Sequence, residues 1–494
     1  MPRASIPFVL LLLAAALPAQ QTLPPEVEAR LRALEAKAAR VDSLEARVAD
    51  LQGRLEEYQE EEANKALEES INALLLQDKP INVSARKATW LTIGGQLRLR
   101  TEYRTVSIYQ EGRSTGDEDF TIQRTRINFD ARLAEDIRVF AEIQDSRVWG
   151  EEENFNTTPG IQDSVMTNIR GVDLHQGYID FERIFGSDLT LRAGRFELSI
   201  WNQRLISPLD WDIVGRAWDG IAIVGDIAED WNLVAGYSTL AEPATIDSDK
   251  DTDLYLAFLT YTGWEDNTVG VGFAAVHSDT RPNDFNLYTV TLHWDGKAGG
   301  FDYSLDLVGQ WGDTKPGGPP AAELDIEAYA IAAEVGYTFD VDWKPRISIE
   351  WTWASGDDDP TDGEVNTFNP LFPFGHTYWG YMDIWSWQNG HDLVLHLQAK
   401  PDEDWWLEVA FHSFWLDSSK DSWFNAGGAP IRTDPTGNAG EHVGLELDIS
   451  VKYWFTKDVF LWFGYSHFFA GDYVSDTGDD DDSDWIWCQL TATF

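Results

Sequence analysis

From Trp90 to Phe494 the chain alternates polar and apolar residues in one segment after another, and clusters of Gly, Asn, Asp or Pro close each segment. A strand sends successive side chains to opposite faces, so this pattern predicts consecutive β-hairpins. Segments at 90–106, 120–133, 137–149, 171–184, 189–200, 217–226, 231–240, 252–263, 268–278, 285–295, 300–311, 325–340, 344–355, 389–400, 404–416, 442–455, 459–470 and 485–494 predict about eighteen strands. Tight turns such as Ala134-Glu135-Asp136 and Thr456-Lys457-Asp458 alternate with long connections. Short turns at one rim and long loops at the other describe a membrane barrel. No apolar run long enough for a spanning helix follows the N-terminus, and the 23 Trp suit interfacial aromatic girdles. The expected fold is therefore all-β: a transmembrane antiparallel β-barrel over residues 90–494, preceded by a short N-terminal coiled-coil helix. A propeller or solenoid is disfavoured because no motif recurs at a fixed period.

The last strand fits this reading. Ala492, Leu490, Cys488 and Ile486 make one apolar row, Thr493, Thr491 and Gln489 a polar one, and the chain ends on an aromatic residue. In the same way Ile347, Ile349, Trp351 and Trp353 share a face expected to meet lipid, as do Val443, Leu445, Leu447, Ile449, Val451, Tyr453 and Phe455. The opposite faces carry Arg346, Ser348, Glu350 and Thr352, and Gly444, Glu446, Asp448, Ser450 and Lys452. Eighteen strands with a polar interior predict a water-filled lumen rather than a core.

The N-terminus reads differently. Met1-Pro2-Arg3, an apolar run from Ile6 to Leu17 and Pro18-Ala19-Gln20 predict a signal peptide over 1–19. In residues 25–79, Val41, Leu44, Val48, Leu51, Leu55 and Tyr58 recur at three-four spacing, a short heptad seam that Val27 and Leu34 extend. The seam predicts a periplasmic coiled-coil helix that joins copies of the chain, with a solvated spacer helix or one docked on a periplasmic partner as the alternative. With the last strand ending in the periplasm, 150–170, 356–388, 417–441 and the acidic Asp476–Asp484 stretch fall outside the cell, beside lipid and lipopolysaccharide.

The charge is unevenly placed. Net charge is -47, which excludes nucleic acid as a partner. Yet Gln96 to Arg216 holds fifteen arginines and no lysine. Alternation assigns Arg98, Arg100, Arg104, Arg124, Arg126, Arg138 and Arg192 to the lumen. Arg195 falls on the lipid face unless Gly194 forms a bulge, which the cost of a lipid-facing arginine at mid-depth, ~2–4 kcal/mol, favours. Such a wall either pairs with passing carboxylates or phosphates, or is tied to inward Glu102, Asp130, Glu142, Asp180 and Glu182. Asp306, Glu350, Glu446 and Asp448 face it from the later strands, as in a general diffusion pore with a transverse field. The aspartate runs at 357–359 and 479–482 lack the spaced ligands of a calcium loop, and Cys488 is the only cysteine. The aromatic stretch Phe368–Trp387 suits stacking on sugar rings or packing of a loop into the barrel mouth. The nine histidines fall into no zinc or nucleophile motif, so neither a metal, a cofactor nor catalysis is expected. A barrel-embedded hydrolase remains a remote alternative.

Gly194-Arg195-Phe196-Glu197-Leu198, Gln203-Arg204-Leu205-Ile206, Asp210-Trp211 and Arg216-Ala217-Trp218-Asp219-Gly220 together resemble the central region of the alginate export family of outer-membrane porins. Arg124-Thr125-Arg126, Gln144-Asp145-Ser146-Arg147, Ala354-Ser355-Gly356-Asp357, Thr367-Phe368 and His376-Thr377-Tyr378-Trp379-Gly380 resemble its other blocks, in family order, over about 90–494. The resemblance implies an eighteen-strand barrel and passive passage of an anionic polysaccharide or smaller anions. It gives the role of charge compensation to Arg124, Arg126, Arg147, Arg195, Arg204 and Arg216, with Asp145 and Asp219 as acidic partners. The N-terminal helix lies outside it, and the acidic second half departs from a purely anion-selective lumen.

Overall fold

The computed structural model describes residues 90–105, 118–149, 172–240, 252–278, 283–316 and 323–494, together with eight positions between Glu26 and Arg47. Those eight, Arg30 and Lys37 among them, are helical and exposed. The signal-peptide stretch, the seam residues Val27, Leu34, Val41, Leu44, Val48, Leu51, Leu55 and Tyr58, and Arg113, Arg170 and Arg281 lie outside the described residues.

Eighteen strands form the barrel wall. They are β1 (Trp90–Arg104), β2 (Glu118–Ala134), β3 (Ile137–Val148), β4 (Val172–Phe181), β5 (Asp188–Phe196), β6 (Trp218–Ala228), β7 (Trp231–Leu240), β8 (Thr252–Trp264) and β9 (Asn267–Ser278). The second half holds β10 (Asn283–Ala298), β11 (Phe301–Pro316), β12 (Leu324–Thr338), β13 (Arg346–Ala354), β14 (Gly390–Ala399), β15 (Trp405–Leu416), β16 (His442–Thr456), β17 (Val459–Ala470) and β18 (Ser483–Thr493). Each pairs antiparallel with the next, and β18 pairs with β1, from Gln96 opposite Thr493 to Arg104 opposite Trp485, so the sheet closes. Closure removes every free edge of the wall. At the seam Gly95 and Phe494 exchange backbone hydrogen bonds of 2.9 and 3.1 Å. A Cβ on Gly95 would lie 2.4 Å from the Arg126 carbonyl oxygen and 2.6 Å from the Phe494 ring, so the close approach requires glycine.

The outer face follows the sequence pattern. Ile347, Ile349, Trp351, Ile486 and Leu490 are exposed, while Ser348, Glu350, Thr352, Gln489 and Thr491 face inward and are buried. Val443 departs from its row. Phe414 pairs with Gly444 and Trp415 with His442, so Val443 is the extra residue of a bulge and is fully buried.

The interior departs from expectation. Residues 355–389, between β13 and β14, turn into the lumen instead of standing outside, and residues 197–217, between β5 and β6, turn in beside them. Ile206 and Phe372 form a parallel bridge between the two connections, and Phe372 N–H donates to the Leu205 carbonyl at 2.8 Å. Phe368, Trp379 and Ile384 have no exposed surface and Trp385 and Trp387 almost none; they pack with Phe196, Phe258, Phe414 and Trp487 of the wall. Burying each such side chain is worth roughly 1.5–3 kcal/mol. A lumen of this width is water-filled only if no connection enters it, and these two are too apolar to remain solvated.

Candidate functional site

The arginine row holds the first inward connection. Arg124 donates to the carbonyls of Asp210 and Asp212 at 3.1 and 3.0 Å, Arg100 to the carbonyl of Trp211 at 2.8 Å, and Arg98 to the carbonyl of Asp210. Gln144 and Ser146 donate to the carbonyls of Val214 and Ile213. Guanidinium groups projecting from alternate positions of β1 and β2 thus meet consecutive carbonyls of a segment with no ladder partner of its own. The Asp210 carboxylate lies 2.9 Å from Arg98, 2.6 Å from Arg124 and 3.3 Å from Arg126. Burial acts to raise this carboxyl, but Arg124, Arg98 and Arg126 overcome it and hold the group well below the usual carboxylate range. Arg100 also lies 3.9 Å from the centre of the Trp211 ring.

The acidic wall holds the second connection by the complementary polarity. Glu446 accepts from Met382 N–H at 2.9 Å, and Asp448 from Tyr381 N–H at 3.2 Å and from the Ser466 hydroxyl. Carboxylates of β16 therefore receive amides of the second connection, while guanidinium groups of β1 and β2 meet carbonyls of the first. Arg204 joins the first connection to the wall, 2.7 Å from Glu350 and 3.4 Å from Asp306, with Tyr378 of the second connection stacked on it at 3.7 Å. Arg216 donates to the carbonyls of Ser207 and Phe372, bridging the two connections. Trp211 stacks on His376 at 3.8 Å.

The sequence-derived site residues separate into three groups. Arg98, Arg100, Arg124, Arg126, Arg204 and Arg216 converge around the inward connections. Arg138 and Arg192 face the lumen nearer the short turns, in a ladder with Asp130 and Asp180 at 2.8–3.2 Å. Arg147 with Asp145 and Arg195 with Asp219 point outward. β5 keeps its register against β4 and β6 at Gly194, so no bulge turns Arg195 into the lumen. The outward placement is affordable because Arg195 pairs with Asp219 at the strand ends, where the cost of an arginine facing lipid falls to ~0–1 kcal/mol.

A cavity of about 490 Å³ remains beside the connections. Arg98, Arg346 and Lys452 line it together with Asp210, Glu334, Glu350 and Glu408, and Trp211, Trp406, Trp462 and Tyr381 supply aromatic surface. Arg346 opens β13 and Trp406 lies at the start of β15, so the cavity reaches toward the short turns. Glu334, Glu408 and Trp406 carry no mark in the sequence, and Asp210 stands there only within a family-like block, with no role given to it. The signal for Asp210 was its place among Leu205, Ile206, Trp211 and Ile213, a run too apolar for an external loop. Among the described residues, Glu142 with His175 and Glu197, and Glu334 with Glu350 and His396, bring possible metal ligands together. Arg126 lies 3.2 Å from Glu197, Arg346 2.7 Å from Glu334 and Arg204 2.7 Å from Glu350, so guanidinium groups already balance these carboxylates.

A closed eighteen-strand wall, an apolar outer face and inward connections that narrow a charged lumen define an outer-membrane channel of the porin type. The chain belongs to the family described as Alginate export, whose model matches residues 89–488. Solved structures of proteins from Pseudomonas aeruginosa share the fold. OprD is 12% identical, with 82% of this chain and 93% of that chain covered and a TM-score of 0.54. OccK2 (OpdF), solved in complex with glucuronate, is 12% identical, with 82% and 98% covered and a TM-score of 0.52. OccK11 (OpdR) is 13% identical, with 81% and 96% covered and a TM-score of 0.51. No curated protein matches the chain.

Proposed function

We propose that this outer-membrane channel passes hydroxylated anions of saccharide size, uronates among them, by diffusion and without chemical turnover. The observation that carries this reading is the cavity. Its volume lies within the roughly 300–1,000 Å³ that encloses a small ligand, and it offers cations for a carboxylate, carboxylates for hydroxyl groups and indole faces for a sugar ring. A polymer of the same chemistry needs the two inward connections to yield. In this reading residues 1–19 direct export, the helix of 25–79 lies in the periplasm with the short turns, and the acidic outer connections meet lipopolysaccharide.

A second reading is favoured by the four carboxylates on the same cavity: a general diffusion pore whose walls of opposite charge orient any small solute. Proteoliposome swelling separates the two. Glucuronate is expected to enter faster than glucosamine, which is of similar size and opposite charge. Equal rates favour the diffusion pore, and faster glucosamine overturns the anion reading.

A further inference from the structure

The cations of the lumen are not equally available to a solute. Arg98 is tied to Asp210, and Arg346 to Asp302 and Glu334. Arg138 and Arg192 are engaged with Asp130 and Asp180. Lys452 differs. Its ammonium lies 3.7 Å from the centre of the Trp462 ring and 5.4 Å from that of Trp406, on the cavity wall, and among the described residues no hydrogen bond or ion pair engages it. An indole face attracts an ammonium but offers it no lone pair, so an N–H donor that points away from the ring is left for an acceptor in the cavity.

We infer that Lys452 is the residue that recognises the carboxylate of a solute in transit, in place of the arginine row. This rests on the channel reading above and gives it a specificity-determining residue. An arginine already paired with a carboxylate gives a passing anion little net attraction, since the solute must compete with a fixed partner of the same charge. A single ammonium suits a channel for a further reason: it is a compact, hydrated charge on a flexible stem, and a transport site must release what it binds. One open positive charge near Glu408, Glu334 and Glu350 favours a monoanion over a dianion. The Glu408 carboxylate, which already accepts from Tyr381 and Gln398, shows that this wall offers acceptors to hydroxyl and amide donors. The ligand class is therefore a hydroxylated monocarboxylate, and a sugar phosphate is disfavoured.

The test reads interruptions of single-channel current by sodium glucuronate, with glucose and glucose 6-phosphate as comparators, on the full-length protein and on K452Q and K452R. Wild type is expected to show glucuronate interruptions that K452R keeps and that K452Q weakens at least about tenfold in affinity. Interruptions by glucose should be the same in all three. Equal glucuronate affinity in wild type and K452Q overturns the assignment, as does tighter binding of glucose 6-phosphate than of glucuronate. If K452Q does not reach the folded barrel, acylation of Lys452 in wild type, read by mass spectrometry, decides the matter. Glucuronate should then slow the reaction where glucose does not, and equal rates overturn the assignment. A wild-type channel that carries uronate while K452Q behaves like wild type leaves the channel reading standing and removes this one. A channel that blocks with glucuronate at Lys452 but carries none across does the reverse.

Discussion

Replacing Asp210 with alanine removes the one carboxylate that Arg98, Arg124 and Arg126 share. Arg98 is 6% and Arg124 1% exposed, so the change leaves these two buried guanidinium groups without the carboxylate they share, while Arg126 keeps Glu197. Breaking a fully buried pair this way costs on the order of 3–5 kcal/mol. The Asp210 side chain is 47% exposed to the lumen, and screening there lowers the expected loss to about 2–3 kcal/mol. That is a change of about 30- to 150-fold in the ratio of pinned to released connection. The carbonyls of Trp211 and Asp212 still accept from Arg100 and Arg124, so the connection stays attached but opens more often. Single-channel recording of D210A in a planar bilayer should show added high-conductance openings, and D210N, which keeps an acceptor oxygen, should fall between D210A and wild type. The pH dependence has a definite sign. A carboxyl held low in the folded state contributes its stabilisation above the ordinary value of about 3.9 and loses it only as pH falls through the lower folded value. Openings due to Asp210 should therefore not change in wild type between about pH 8 and pH 5. Recordings of D210A that match wild type in conductance and open frequency would refute the pinning role of the arginine row.

R195Q should leave conductance and uronate interruptions unchanged, because Arg195 pairs with Asp219 on the outer face; its stability cost should be within about 1 kcal/mol, read from the thermal midpoint of the folded band on gels. A changed selectivity would return Arg195 to the lumen. W379A removes a fully buried indole from the second inward connection at about 3–5 kcal/mol. The connection should then be cut by added protease while the barrel keeps its heat-modifiable migration, and resistance equal to wild type would show that Trp379 does not hold it. G95V places a branched side chain against the Arg126 carbonyl and the Phe494 ring, so the yield of folded barrel should fall sharply. Normal assembly of G95V would contradict the close contact at the β1–β18 seam.

The strands were legible because their pattern is local. Alternation in Arg346–Ala354 or Ser483–Thr493 assigns each side chain to a face without reference to any other part of the chain. The inward course of 197–217 and 355–389 was not, because it depends on partners such as Arg98 and Asp210, which are 112 residues apart. Apolar content marked Phe368–Trp387 as a stretch able to pack into the mouth, but it could not specify that Glu446 and Asp448 would take its amides. Strand period alone puts Arg98, Arg124 and Arg192 on the inward face of their strands, which is where their partners Asp210 and Asp180 meet them. Arg195 stays on the outer face without a bulge because it lies at the end of its strand, where the mid-depth cost of a lipid-facing arginine does not apply. Lys452 was placed on the inward face of its strand by alternation, yet its open ammonium emerges only once every neighbouring guanidinium is seen to be engaged.

The central claim is that a uronate anion crosses the barrel. It is tested most directly by the reversal potential of wild-type channels in a planar bilayer under a gradient of sodium glucuronate, with no other permeant ion present. Passage of glucuronate pulls the potential away from the value set by sodium alone, and the displacement should shrink in K452Q. A potential equal to the sodium value in wild type would mean that uronate does not cross, and would contradict the account.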